Sequence, residues 1–258
     1  MVIGAKRECL LTHAEESRAG KKMRTTSSLE PLVYQLSSNV VTTVIKAATT
    51  LSSFANNTND KQSMLNSGVI PPLVDMLSST NVQCKFVAMT LISTIIEVNH
   101  EFKTPMCDAG VLTPLVTMFH SCDMKCRVAA LSLTAQFSKN NGFETRIADA
   151  GAIQPLIANL RSRDDCMMLA LKIIGNIAFD NLELRIANAG AIPVIAEILS
   201  SNNDEAAALA SVALWNLSAV HALRTQMVDK SIMRPLLKSI QKLNDTHKLD
   251  GLGLLNNL

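Results

Sequence analysis

A short motif recurs along the 258-residue chain at a nearly constant spacing, and this spacing constrains the fold more than any other feature. The motif is clearest at residues 150–157, which read AGAIQPLI, and related segments lie at 67–74, 109–116 and 189–195. Weaker copies lie at 27–33 and 231–237. With Gly or Ser as the origin, the copies start at 27, 68, 110, 151, 190 and 231. Such a period, with one supersecondary unit in each copy, is typical of a solenoid.

The motif itself predicts the end of one helix and the start of the next. Gly151 closes the first helix, because glycine adopts the left-handed backbone without a Cβ clash. Pro155 falls in the first turn of the following helix, where a missing N–H breaks no intrahelical bond. An apolar stripe with helical spacing follows and predicts one buried helix face. Its members in this copy are Ile153, Leu156, Ile157 and Leu160.

Two further positions repeat in register with the motif. An apolar residue four positions before the origin predicts the inner face of a short preceding helix, and it is Met64, Met106, Ile147, Ile186 or Met227. An Asn or Asp about thirteen residues after the origin predicts the N-cap of a longer third helix. These capping residues are Asn39, Asn81, Asp123, Asp164, Asn203 and the pair Asn244-Asp245.

Three helices in each repeat, joined by a Gly-Ala-Ile-x-Pro-Leu hinge, resemble the armadillo repeat. The resemblance extends over residues 27–258 and implies an all-α fold, a right-handed α-solenoid of three-helix repeats. HEAT repeats are the alternative, but they have two helices and lack this hinge. The armadillo interpretation is therefore favoured, with residues 1–26 as a separate leader.

Composition excludes several classes of protein. Hydrophobic residues make up 48% of the chain, which supplies a core between neighbouring repeats. The formal net charge of +2 gives no strong attraction to nucleic acid or to a membrane. No apolar run reaches the roughly 18–20 residues that span a bilayer, and the N-terminus lacks the pattern of a signal peptide. We expect a cytoplasmic protein, with nuclear, cytoskeletal or ciliary association left open.

The cysteines are predicted to be reduced, buried thiols rather than disulfides or metal ligands. None of the six forms a C-x-x-C pair, and most lie at apolar repeat positions. His120, Cys122 and Cys126 invite a zinc interpretation, but no second pair of ligands accompanies them, and structural zinc takes four. No metal and no cofactor are expected.

Residues 1–26 form a basic leader with six Lys or Arg and three Glu, a net charge of +3. We predict that the leader is disordered or loosely helical. The segment from Lys21 to Arg24 is also interpretable as a small basic targeting signal or as a weak contact to anionic lipid. Val2 excludes the myristoylation pattern, which requires Gly after the initiator Met.

No catalytic motif is present. The chain lacks a phosphate-binding Gly-Lys-Ser/Thr loop, a Gly-x-Ser-x-Gly elbow, a His-Glu-x-x-His helix and a dinucleotide-binding glycine pattern. The histidines are scattered without partners at catalytic spacing. We therefore predict that the protein is not an enzyme and has no small-molecule substrate.

The armadillo resemblance implies a binding groove lined by the third helices. In the nuclear-import members, a Trp and an Asn one turn apart recur along it and hold a basic peptide. Here the Trp-like positions read Thr49, Thr90, Ser132, Lys172 and Trp215, and the Asn-like positions read Ser53, Thr94, Gln136, Asn176 and Ala219. Asn216 is the alternative counterpart in the last pair. No repeat has the full pair, and Lys172 would repel a basic ligand, so import signals are disfavoured.

The candidate groove residues are Thr90, Thr94, Gln136, Lys172, Asn176, Trp215 and Asn216. Trp215 is predicted as the apolar anchor, because Trp is enriched in binding hot spots. The alternative is that Trp215 packs in the core. Asn176 and Asn216 are predicted to hold ligand backbone, or instead to satisfy a neighbouring backbone carbonyl.

These features predict a non-catalytic scaffold or adaptor that holds an extended peptide or a helix of a protein partner. A structural component of a cytoskeletal or ciliary assembly, bound through its ends and convex face, is the alternative. A nuclear-transport adaptor is a weaker one. Leu254, Leu255 and Leu258 are expected on an uncovered face of the last repeat, which would permit end-to-end self-association.

Overall fold

The computed structural model describes residues 29–38, 40–55, 61–98, 100–162, 164–179, 181–228, 230–242 and 245–258. These residues form helices joined by short turns, and no β-strand occurs among them. The predicted leader 1–26 and the predicted caps Asn39 and Asn244 lie outside the described residues. The chain divides into two compact units, Met1–Val111 and Leu112–Leu258.

The first unit contains six α-helices within the residues described. They are α1 (29–36), α2 (Val41–Ala55), α3 (Lys61–Asn66), α4 (Ile70–Ser78), α5 (Val82–Val98) and α6 (Lys103–Asp108). A 3-10 turn, His100–Phe102, precedes α6. The two longest helices, α2 and α5, pack against each other, and α4 packs against α5.

The second unit repeats the same order of short, medium and long helices. Its helices are α7 (Leu112–Thr117), α8 (Met124–Ser138), α9 (Glu144–Asp149), α10 (Ile153–Leu160), α11 (Asp165–Ile177), α12 (Leu182–Asn188), α13 (Ala191–Leu199), α14 (Asp204–Leu217), α15 (His221–Met227), α16 (Lys230–Lys242) and α17 (Asp245–Asn257). A 3-10 turn, Met118–His120, continues α7. The third helices α8, α11, α14 and α17 pack side by side in that order.

The hinge glycines adopt the predicted left-handed backbone. Gly68, Gly110, Gly151 and Gly190 have φ values of 71°, 85°, 86° and 87°. At Gly151 the amide donates to Ala148 O at 3.0 Å and the next amide, that of Ala152, donates to Ile147 O at 3.4 Å. This pair of bonds satisfies the last carbonyls of α9 and turns the chain directly into α10. The predicted hinges at these four positions are confirmed.

Four of the predicted caps of the third helices are confirmed, whereas the predicted Asp245 is the first residue of α17. Asn81, Asp123, Asp164 and Asn203 each accept a hydrogen bond from a backbone amide in the first turn of α5, α8, α11 or α14. The acceptor distances lie between 2.9 and 3.0 Å. Each cap satisfies an amide that has no intrahelical partner.

The core of each unit consists of the residues that the motif predicts. The apolar residues four positions before the origins are all buried, and they are Met64, Met106, Ile147, Ile186 and Met227. The stripe of the 151 copy, Ile153, Leu156, Ile157 and Leu160, is buried as well. Burial of an aliphatic side chain of this size contributes about 1.5–3 kcal/mol, so this stripe is a main source of stability.

The last repeat departs from the predicted hinge. The helix α16 already begins at Lys230, so Pro235 lies inside it rather than in its first turn. The physical reason is that Ser231 replaces the glycine, and the break falls earlier, just after Met227.

The apolar end face also differs from the prediction, because Leu254 is fully buried and Leu255 and Leu258 are half-buried. The exposed leucines of α17 are Leu249 and Leu252.

A buried amide joins neighbouring repeats in the second unit. Asn159 on α10 is 5% exposed, and its Nδ2 donates to Phe119 O at 3.1 Å and to Pro155 O at 2.8 Å. The first bond satisfies a carbonyl in the 3-10 turn of the preceding repeat. This side chain therefore ties α10 to the turn after α7.

We expect Asn159→Ala to lower the free energy of unfolding by about 1–3 kcal/mol, because the Phe119 carbonyl loses the side-chain donor that reaches it from α10. Urea denaturation of the full chain measures the change. The matched control is Asn188→Ala, which removes an exposed amide on α12 and should change stability by less than about 0.5 kcal/mol. Equal losses for the two variants would contradict the bridging role.

Asp164 makes the stability of the second unit depend on pH. Burial raises the pKa of this carboxyl, but hydrogen bonds from Ser162 and Cys166 and the charge of Arg127 outweigh it, so the pKa lies below its ordinary value. A depressed pKa stabilises the fold above the unfolded-state value of about 3.9, and the contribution is lost as pH falls through the folded-state value.

We expect Asp164→Asn to destabilise the protein by about 0.5–1 kcal/mol at pH 7, because Asn keeps the cap and loses the charge. The difference from wild type should shrink as pH falls below about 4. Chemical denaturation from pH 7 to 3 tests this, with the exposed Asp75→Asn as control. A difference that stays constant with pH would refute the electrostatic explanation.

Candidate functional site

The third helices of the second unit present a continuous face, and their caps and ends define its register. The N-caps of α11 and α14 are Asp164 and Asn203, and the two helices end at Ile177 and Leu217. The starts of the two helices, and likewise their ends, are therefore separated by nearly the same number of residues, which is one repeat. The residue of α14 that lies one repeat after Asn176 is Asn216. Ala219, the other counterpart considered from the sequence, lies beyond the end of α14, so that assignment is wrong.

A row of side-chain amides follows this register across the four helices, and we call it the amide row. Its members are Gln136 on α8, Asn176 on α11, Asn216 on α14 and Asn257 on α17. All but Asn257 were predicted from the sequence. The regular step of one repeat between successive members was the available signal for the fourth member.

Each asparagine of the amide row donates to the end of the preceding third helix. Asn176 Nδ2 donates to Ser138 Oγ at 3.0 Å, and Asn257 Nδ2 donates to Ser218 Oγ at 2.8 Å. Asn216 Nδ2 donates instead to Gly175 O at 2.8 Å. The amides therefore take part in packing between repeats, which was the alternative to ligand binding that the sequence left open.

The exception at Asn216 has a simple chemical reason. The hydroxyls of Ser138 and Ser218 donate to the carbonyls of Ala135 and Trp215, three residues earlier in their own helices. Gly175 O is the equivalent carbonyl in α11, but the residue three positions later is alanine. Because no hydroxyl is present there, the amide of Asn216 satisfies the carbonyl directly.

Trp215 does not occupy the position equivalent to Lys172. In the observed register that position on α14 is Val212, one turn before Asn216, so the predicted pairing of Trp215 with the Trp-like positions is wrong. The indole lies against Gly253 of α17, where a Cβ would be 2.8 Å from Trp215 Cε2. The side chain nevertheless remains 38% exposed, so Trp215 both packs between repeats and presents apolar surface.

Lys172 lies on the exposed side of α11. Its Nζ is 3.7 Å from Glu205 Oε1, and the two side chains are 45% and 68% exposed. An exposed ion pair of this length contributes about 0–1 kcal/mol at most. Lys172 is therefore available to a ligand that brings its own carboxylate.

Thr90 and Thr94 belong to the first unit, on α5. Thr90 Oγ1 donates to Phe86 O at 2.9 Å, and Thr94 Oγ1 donates to Thr90 O at 3.0 Å. Both hydroxyl protons are thus used within the helix. What these hydroxyls still offer is their oxygen as a hydrogen-bond acceptor.

A cavity of about 230 Å³ opens on the third-helix face between α8, α11 and α14. Its lining residues are Ala135, Lys139, Leu171, Lys172, Gly175, Asn176, Leu209 and Val212. Lys172 and Asn176 were predicted as groove residues, whereas Lys139 and Gly175 were not. No single-helix pattern identifies them, because the cavity arises from three successive helices.

The structure offers no metal-binding group in the part of the chain that it describes, since no three His, Cys, Asp or Glu side chains cluster suitably there. Cys84, Cys126 and Cys166 are buried, Cys107 is half-buried and Cys122 is exposed. Burial raises the pKa of the Cys166 thiol, which keeps it protonated and unreactive. Among the described helices, none is long and apolar enough to cross a membrane.

Comparison with known proteins gives a direct match for one repeat. The armadillo/β-catenin-like repeat family model matches residues 57–95, a segment that includes the hinge at Gly68 and much of α5. No curated protein matches the chain.

Solved structures match over most of the chain. A designed armadillo-repeat protein in complex with the peptide (KR)4 has a TM-score of 0.79 and 23% identity, covering 89% of this chain and 98% of its own. Computationally designed armadillo-repeat proteins for modular peptide recognition give a TM-score of 0.81 and 24% identity, with 89% and 99% covered.

An engineered protein gives a TM-score of 0.80 at 25% identity, and the match covers 90% of this chain and 58% of that one. These likenesses and the helix order confirm the predicted all-α solenoid fold. The chain therefore has the fold of armadillo-repeat proteins, and its residues 57–95 match the sequence pattern of that repeat family.

Proposed function

We propose that this protein is a non-catalytic scaffold that binds an extended segment of a partner protein along the third-helix face of its second unit. The amide row carries this proposal. Each of its asparagines is fixed by one N–H bond to the preceding repeat. A second N–H and the acceptor oxygen of each amide are left for other partners.

An extended peptide suits such a row because its backbone presents N–H and C=O groups at regular intervals. Packed helices lie about 8–10 Å apart, and an extended chain rises about 3.3 Å per residue. One amide per helix therefore meets the backbone roughly every third residue. Since the asparagine side chains are already held in place, little side-chain entropy is lost on binding.

The structural neighbours support a peptide ligand, and the charges of this chain disfavour a basic one. The designed armadillo protein among them holds the peptide (KR)4. In this chain the exposed cavity carries Lys139 and Lys172, which would repel such a ligand. A scaffold for a non-basic segment in the cytoplasm fits these side chains better than a receptor for nuclear-import signals.

A second candidate function is a structural part of a larger assembly, held through its last repeat. Leu237 on α16 and Leu249 and Leu252 on α17 are 48%, 69% and 48% exposed. A complex that covers these exposed leucines is stabilised, because their apolar surface is removed from water. This candidate needs the apolar face of the last repeat and not the amide row.

We expect the double variant Asn176→Ala/Asn216→Ala to bind extended peptides about 30- to 150-fold more weakly, because two amide contacts of about 1–1.5 kcal/mol each are lost. Peptides selected from a random displayed library on the wild-type protein provide the ligands, and fluorescence anisotropy measures their affinity. Asn188→Ala is the control, and circular dichroism establishes that all variants are folded. Unchanged affinities for the double variant would refute the groove proposal.

The assembly candidate makes a different prediction. We expect Leu249→Lys/Leu252→Lys to leave peptide affinity within twofold of wild type, because these exposed residues belong neither to the amide row nor to the cavity. If the last repeat is the interface, the same variant should lose any self-association seen by sedimentation velocity. Self-association that survives both lysines would count against this second candidate.

A further inference from the structure

We infer that the cavity between α8, α11 and α14 is a specificity pocket that accepts an aliphatic side chain of the bound segment, with carboxylates on the neighbouring residues. The inference rests on the proposed function, because the pocket lies beside the amide row. It adds the chemical class of the ligand: an acidic peptide with an aliphatic anchor.

The walls of the pocket are apolar and its size fits one side chain. Leu171, Leu209, Val212 and Ala135 provide the apolar lining, within a volume of about 230 Å³. An apolar protein cavity of about 150 Å³ holds a benzene molecule. A valine, isoleucine or leucine side chain therefore fits without displacing the helices.

Gly175 keeps this pocket open although neither the backbone nor the packing requires glycine there. The residue is helical, and a Cβ built on it meets nothing closer than Val212 Cγ1, at 3.8 Å. Gly253 contrasts with it, since a Cβ there would be 2.8 Å from Trp215. A glycine inside a helix costs stability relative to alanine. At position 175 the absence of a side chain leaves space at the floor of the pocket.

The mouth of the pocket carries positive charge. Lys139 at the end of α8 and Lys172 on α11 are exposed and line the opening. Glu205 is the nearest opposing charge to Lys172, at 3.7 Å, and it is more exposed than the lysine. A ligand carboxylate can replace this weak partner. The charge at the mouth therefore favours acidic residues beside the aliphatic anchor.

Three labelled peptides with a three-residue period test the chemistry: (Val-Glu-Glu)3, (Ser-Glu-Glu)3 and (Val-Lys-Lys)3. The three-residue period of these peptides matches the proposed spacing of one amide per third peptide residue. Each peptide can therefore place a Val or Ser at the pocket in several alignments along the amide row. By fluorescence anisotropy, we expect (Val-Glu-Glu)3 to bind the full chain at least tenfold more tightly than either of the others. Equal or tighter binding of (Val-Lys-Lys)3 or (Ser-Glu-Glu)3 would overturn the inference.

Two variants separate the pocket from general effects on folding. Gly175→Ala should raise Tm by about 1–4 °C and weaken (Val-Glu-Glu)3 at least threefold, because the new methyl group narrows the floor. Lys172→Glu should weaken the same peptide at least tenfold, whereas Lys238→Glu on α16 should leave it within twofold. Undiminished binding to both pocket variants would show that the pocket is not used.

These results are distinguishable from failure of the proposed function. If library peptides depend on Asn176 and Asn216 but show no aliphatic or acidic preference, the face binds peptides and the pocket inference is wrong. If no library peptide depends on those two asparagines, the proposed function itself fails, and the pocket inference falls with it.

Discussion

The packing of each third helix against the next is the interaction on which the rest of the second unit depends. A repeat of this size has too little surface to bury its own apolar face, so its stability comes from its neighbours. The second unit makes this contact three times in succession, from α8 through α11 and α14 to α17. The amides of Asn176, Asn216 and Asn257 then add a hydrogen bond from each helix to the one before it.

Two successive contacts between third helices pair a glycine with a larger side chain, and they differ in how tightly the space is filled. Gly175 faces Val212 with space to spare, whereas one repeat later Trp215 lies directly over Gly253. The same step of the fold is therefore loosely filled at one interface and tightly filled at the next. The loose interface has an apolar cavity beside the amide row, and the tight one leaves an exposed indole edge. The surface chemistry thus differs from repeat to repeat although the backbone pattern is the same.

Much of the fold could be predicted because its signals are local. Gly151 ends a helix by adopting positive φ, Pro155 is tolerated only in the first turn, and Asp164 caps the next helix through its own neighbours. The prediction failed in the last repeat, where Ser231 replaces the glycine and α16 runs past Pro235. There the local signal was weak, because serine does not favour the left-handed backbone as glycine does.

The repeat length, most hinges, most caps and the buried stripe follow from the amino-acid sequence alone, since each depends on residues within one or two helical turns. The sequence also predicted Lys172 and Asn176, which line the cavity, and Asn216, whose amide donates to Gly175 O. The three-dimensional packing was needed to establish that Val212 and not Trp215 is the counterpart of Lys172, that Leu254 is buried, and that Gly175 lines a cavity. These facts depend on contacts between side chains a whole repeat apart in the sequence, whose geometry is set by the stacking of entire repeats and not by any local pattern.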